Sequence, residues 1–130
     1  MTLEIVDHQD PSSEVNGITV KTQDALAKVF ISGQAREPFF CELLGSNGYK
    51  LLVGMGRDIG CVQHSSNDGN PPYLMAVLDG PQEEEYEFLT ADTPTPVRAR
   101  YCLPIDKVME IAAYFLLTGK RDLSIRWEEI

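Results

Sequence analysis

The side chains best suited to nucleophilic or soft-metal chemistry in this 130-residue sequence are Cys41, Cys61, Cys102, His8 and His64. A Cys–His nucleophilic pair needs thiol and imidazole within hydrogen-bond reach and a third group to orient the base. Of the two histidines only His64 falls in a stretch that reads as ordered, and no nucleophile motif surrounds any cysteine, so the thiols read as buried side chains. Cys61-x-x-His64 has the spacing of half a zinc site, but no second pair is available to close it. An alternating strand that happens to hold both residues is the simpler reading. Gly54, Gly56 and Gly60 imitate a phosphate loop, yet they lack its lysine and a following helix, and Asp58 beside them repels phosphate. They read as turn glycines. The expectation is therefore of no catalytic residue, no cofactor and no metal, with a small enzyme or ligand-binding domain using Cys61 and His64 on a sheet face as the alternative.

Carboxylates are the more prominent feature. Glu83, Glu84, Glu85 and Glu87 form the densest acidic run, and Glu128 with Glu129 a second one. Acid–base catalysis would need environments that push two carboxyl pKa values apart, and a solvated run supplies none. As an electrostatic docking patch, the first run together with Asp58 gives the candidate partner-binding set: Asp58, Glu83, Glu84, Glu85 and Glu87. A merely solvated face is the competing reading. Trp127 fits a core aromatic on the apolar side of a strand better than a ring that stacks on a ligand.

The elements that must position these residues are clearest in the last third of the chain. Val97, Ala99, Tyr101 and Leu103 alternate with Arg98, Arg100 and Cys102, which predicts a half-buried strand. Pro104 suits a first helical position, and Val108, Ile111, Ala112, Phe115 and Leu116 recur at helical spacing. Gly119 then offers a left-handed exit, with Lys120 and Arg121 at the negative end of the helix. Leu123, Ile125 and Trp127 alternate again, so strand, helix and strand are expected to form the core.

Upstream, Leu3 to Val6 reads as a strand, Asn16-Gly17 as a turn, and Thr22 as the cap of a helix whose face is Leu26, Val29 and Phe30 and which Gly33 stops. Phe39–Leu44 and Tyr49–Met55 predict a hairpin across Gly45–Gly48. Strands follow at Ile59–His64 and Tyr73–Leu78, with a polar loop between them. Glu84–Leu89 alternates weakly, and Thr90–Pro96 reads as a loop. Short turns favour antiparallel neighbours. The fold class is α+β: a mainly antiparallel sheet of about five to seven strands with two helices packed on one face, one domain over residues 1–130.

Composition narrows the function. At 43% hydrophobic and 24% charged residues the sequence is that of an ordinary globular protein, with neither a signal peptide nor an apolar run long enough for a membrane span. Three widely spaced cysteines argue against a disulfide framework, and a cytoplasmic protein is expected. The net charge of −9 disfavours nucleic acid and anionic membranes and favours a basic protein partner, although it also serves solubility by itself.

The order of the motifs adds a resemblance. The strand KLLVGMGRDIG with Leu51, Gly54, Gly56 and Gly60, a later acidic strand, a proline-started helix, and the ending YFLLTGKRDLSIRWEEI with Thr118, Gly119 and Trp127 resemble the Imm-type-one immunity proteins of bacterial polymorphic toxin systems. These markers belong to the fold, not to any catalytic motif, and the first 35 residues carry little of them. The resemblance implies an immunity protein that binds and neutralises a cognate toxin domain, often a nucleic-acid deaminase, by covering its basic active-site surface. It implies no direct contact with nucleic acid or membrane.

Overall fold

Alternation builds the centre of the molecule. In strand β4 (Tyr49–Gly56) Leu51, Val53 and Met55 are fully buried on one face, while Leu52 and Gly54 look to the other. The computed structural model describes residues 1–77 and 84–130. Before β4 come β1 (Leu3–Asp7), β2 (Thr19–Val20), helix α1 (Gln23–Gln34) and β3 (Phe39–Gly45). After it come β5 (Ile59–Ser66), β6 (Leu74–Val77), β7 (Glu85–Thr90), β8 (Thr93–Arg98), β9 (Leu103–Pro104), helix α2 (Ile105–Thr118) and β10 (Arg126–Glu129). The main sheet runs β10-β6-β5-β4-β3-β1-β2, with every neighbouring pair antiparallel. It is the α+β architecture expected, with both helices on one face.

That face holds the larger core. Phe39, Cys41 and Leu43 of β3 and the inward row of β4 meet Leu26, Val29 and Phe30 of α1 and Ile105, Val108, Ile111, Ala112, Phe115 and Leu116 of α2. Thr22 caps α1 by accepting from the Ala25 N–H at 3.2 Å, and Gly119 leaves α2 at φ 72°. Both were legible in the sequence. Gly33 does not stop α1: it lies inside the helix, buried against Met55. Pro104 sits just outside α2, and the N–H of Ile105 donates to the Asp58 carbonyl at 3.0 Å.

The opposite face is covered only in part. Strands β7 and β8 form a hairpin across Ala91-Asp92, and its Phe88 is fully buried with Phe40, Cys61, Met75 and Cys102 in a second, smaller core. Three expectations change here. Thr90–Pro96 is not a loop but a turn followed by β8. Its prolines fit because Thr90 pairs with Thr93 at the turn, so alternation places Pro94 and Pro96 in the pairs whose nitrogens face away from β7. Val97–Leu103 is not one strand: β8 ends at Arg98 and a 3-10 turn, Ala99–Tyr101, redirects the chain, because β8 belongs to the covering layer and β9 pairs with β5 in the sheet. Leu123 is 76% exposed and precedes β10, since Asp122 accepts from the Ser124 N–H at 2.9 Å and turns the chain first. The Trp127 ring is half-buried against the edge of the larger core, its Nε1 donating to the Asp122 carbonyl at 2.9 Å.

One ion pair ties the N-terminal strand to α1. The Asp7 side chain is fully buried and accepts from Arg36 Nη1 at 2.7 Å, Ser13 Oγ at 2.7 Å and the N–H groups of Gln9 and Asp10 at 2.9 Å. The Arg36 guanidinium lies 3.6 Å from the Phe39 ring centroid. Burial alone would raise the Asp7 pKa, but the hydrogen bonds from Arg36, Asp10, Ser13 and Gln9 outweigh it and hold the carboxyl below its ordinary value.

Two predictions follow from these contacts. Because the folded pKa of Asp7 is depressed, its contribution is complete above about pH 4, the unfolded value, and is lost as pH falls through the lower folded value. Asp7→Ala should cost about 3 kcal/mol in urea unfolding at neutral pH, and the difference should stay constant down to about pH 4 and shrink progressively below it. A difference that instead shrinks between about pH 7 and 5 would show that Asp7 is not held ionised by its partners. At Gly54 a Cβ would lie 2.6 Å from Cys61 Sγ and 2.8 Å from the Phe88 ring. Gly54→Ala should therefore destabilise by about 1–3 kcal/mol, and Phe88→Ala should relieve part of that cost in a double-mutant cycle.

Candidate functional site

The acidic residues singled out from the sequence fall into two environments. Glu84, Glu85 and Glu87 are exposed on and beside β7, and Asp58 is exposed at the β4–β5 turn. Among the described residues none of these four has an ion-pair partner within 4 Å. Glu83 lies outside the described residues. The hollow beside the turn is lined by Asp58 and Ile59 on one side and by Tyr86 of β7 on the other, so Asp58 and the acidic strand share one end of the molecule. Glu128 differs: it accepts from Arg100 Nη2 at 2.5 Å and from the Tyr101 hydroxyl at 3.2 Å, and Arg126 Nη2 lies 3.5 Å away.

Between the uncovered sheet face and the hairpin runs a groove of about 660 Å³. Phe40, Leu52 and Met75 give it an apolar floor, and Glu85, Val97 and Arg98 of the hairpin form a wall. Glu42 closes one side. Its carboxylate holds His8 Nε2 at 2.5 Å and Lys50 Nζ at 2.7 Å. Burial raises the Glu42 pKa, but the hydrogen bonds from Lys50 and His8 and their charges prevail and lower it, so Glu42 is ionised at neutral pH. This triad was missed in the sequence, where His8 read as outside ordered structure. Its members are 34 and 8 residues apart from Glu42, and only strand register unites them.

Cys61 and His64 do not form a site. Three residues apart on one strand, they project to opposite faces. Cys61 lies in the smaller core against Phe88, and burial pushes its thiol well above the ordinary value. The other thiols, Cys41 and Cys102, are pushed up to about 12 and about 11, again by burial. Such thiols are poor nucleophiles at neutral pH. All three cysteines are free. His64 is on the helix face, stacked on Tyr49 at 5.2 Å and edge-on to Phe115 and Trp127. Among the described residues there is no group of three or more His, Cys, Asp or Glu side chains that could hold a metal ion, and no helix long and apolar enough to cross a membrane.

The geometry is thus of exposed carboxylates and a half-covered sheet face rather than of a reaction centre. The family model of immunity protein Imm1 matches residues 4–129. A search of curated proteins finds no match. The chain belongs to the Imm1 immunity protein family, whose members are toxin-binding inhibitors and not enzymes.

An inhibitor needs no catalytic base, and His64 is unsuited to be one. Burial, reinforced by the charge of Arg121, pushes its pKa down to about 4. The sign follows: with the folded value depressed, stability is complete above about pH 6.5, the unfolded value, and declines as pH falls toward the folded value. His64 should titrate near pH 4 by NMR, and His64→Phe should flatten the decline in thermal stability between pH 6.5 and 4. A midpoint near 6.5 would place the ring in solvent.

Proposed function

We propose that the toxin neutralised by this chain acts on nucleic acid as a base deaminase, and that the acidic end of the molecule, Asp58 with Glu84, Glu85 and Glu87, covers the toxin's basic active-site surface. Glu83 adjoins this set in sequence and is proposed with it. The observation that carries the reading is that these carboxylates are exposed without a countercharge among the described residues, whereas Glu42 and Glu128 are each tied to cations. A net charge of −9 extends the attraction over the whole chain. An enzyme that takes a base out of a nucleic acid must hold phosphates around the flipped nucleotide, so its cleft is cationic. A protein presenting unpaired carboxylates competes for that cleft and is repelled by the nucleic acid itself. Protection of the cell requires a complex of nanomolar strength or better, roughly −12 kcal/mol.

Exposed rim charges act on the encounter more than on the residence time. Glu84→Lys/Glu87→Lys should slow association with the cognate toxin by about tenfold or more and flatten its salt dependence, while leaving dissociation nearly unchanged. Stopped-flow mixing at several ionic strengths reads this directly. One equivalent of the protein should also abolish deamination of a single-stranded oligonucleotide by the purified toxin. An unaltered association rate and salt slope in the double variant would sink the docking assignment. A toxin without deaminase activity would sink the substrate class.

A further inference from the structure

The hollow beside the Asp58 turn is smaller than the groove and more uniform in chemistry. It holds about 470 Å³ between the β5–β9 edge of the sheet and the open end of the β7–β8 hairpin. Ile59, Leu103 and Pro104 give it an apolar floor, with Ala99 and the neutral thiol of Cys102 beside them. Tyr86 forms the opposite wall. Alternation sets it on the same face of β7 as Phe88, but Phe88 is fully buried, whereas Tyr86, two residues nearer the open end, stays 38% exposed. Among the described residues Asp58 is the one charged side chain in the lining. The cations nearest to it in sequence are engaged elsewhere: Arg57 with Glu37 at 3.0 Å, Lys107 with Glu110 at 3.3 Å and Arg100 with Glu128, while Arg98 lines the larger groove. The first turn of α2 opens nearby. There the Asp58 carbonyl takes the Ile105 N–H and Asp106 adds a second negative charge, so the place disfavours an anion.

We propose that this hollow is the anchor point of the complex and receives one arginine or lysine side chain of the toxin. The aliphatic stem lies along Ile59 and Pro104, the cationic head reaches the Asp58 carboxylate, and the Tyr86 ring presents its π face to the same head. Each wall selects against a different alternative. An aliphatic side chain would leave the Asp58 charge desolvated without a partner, and an acidic one would be repelled by it. Tyrosine is also the kind of residue on which binding energy concentrates, because a large ring buries much area at little loss of side-chain freedom. The inference rests on the docking assignment made above and deepens it. Glu84 and Glu87 stay in solvent and act on arrival, whereas Asp58 and Tyr86 are covered once the hollow is filled and act on residence.

Two variants separate the walls. Asp58→Asn keeps the shape of the turn and removes the charge, and Tyr86→Leu keeps an apolar wall and removes the ring. Both positions are exposed, so thermal unfolding should match the parent. With purified cognate toxin each variant should accelerate dissociation about tenfold and change association much less. Tyr86→Phe, which retains the ring face, should dissociate at the parental rate. The double variant Asp58→Asn/Tyr86→Leu should lose far less than the product of the two single effects, because both residues hold one toxin side chain. Fully multiplicative effects would mean two separate toxin contacts and would overturn the single-side-chain assignment. Parental dissociation in both single variants, with Glu84→Lys/Glu87→Lys still slowing association, would overturn the anchor and leave the docking surface standing. Parental rates in all of these variants would overturn both.

Discussion

Much of what distinguishes the two sides of this molecule depends on one close approach. Gly54 has no side chain at the point where the Phe88 ring meets the sheet, and a Cβ there would be 2.8 Å from that ring. The contact lets a two-stranded hairpin lie on a face that the helices do not cover. Burying Phe88 is worth about 1.5–3 kcal/mol by area alone, which matters for a hairpin that has few other anchors. Those anchors are backbone bonds at its margins: Leu89 N–H to the Pro38 carbonyl and Ala91 N–H to the His8 carbonyl, each at 2.8 Å. With the hairpin in place, β7 stands beside the Asp58 turn, the smaller core is closed, and the groove acquires its second wall. Without it, the acidic residues would have no fixed position relative to the sheet.

The parts of the fold that could be read from the sequence are those where the signal is local. The α2 face from Val108 to Leu116, its left-handed exit at Gly119, the Thr22 cap and the β3–β4 hairpin each follow from spacing or turn chemistry within a few residues. Where the reading went astray, a tertiary requirement overrode a local pattern. Val97 to Leu103 alternates like a strand, but the chain has to change layers there, and the corner falls at Ala99–Tyr101. Thr90 to Pro96 looks unlike a strand because proline interrupts a ladder, and an edge position removes that objection. Leu123 is apolar but lies inside the turn that Asp122 begins, ahead of β10, so it never enters the sheet.

The candidate surface was half legible. Composition marks carboxylates, and β7 shows them exposed, but no pattern along the chain distinguishes Glu85 from Glu128. The difference is whether a cation from a distant segment reaches the carboxylate: Arg100 closes on Glu128 from 28 residues away. Likewise Asp7 and Arg36, 29 residues apart, are individually unremarkable and jointly hold the N-terminal strand to the end of α1. Electrostatic identity in this chain belongs to pairs that topology makes.

The two prolines of β8 bear on how the protein exists before any toxin arrives. An unpaired strand edge is a template on which other chains can add, by alternating N–H and C=O groups. On the outward side of β8 the donors at positions 94 and 96 are missing, so an approaching strand would find acceptors with no complementary N–H over most of its length. The hairpin is therefore a poor seed for fibres or for promiscuous β-addition, even though it stands out from the sheet. A protein that must be kept in store, folded and uncommitted, gains shelf life from that edge.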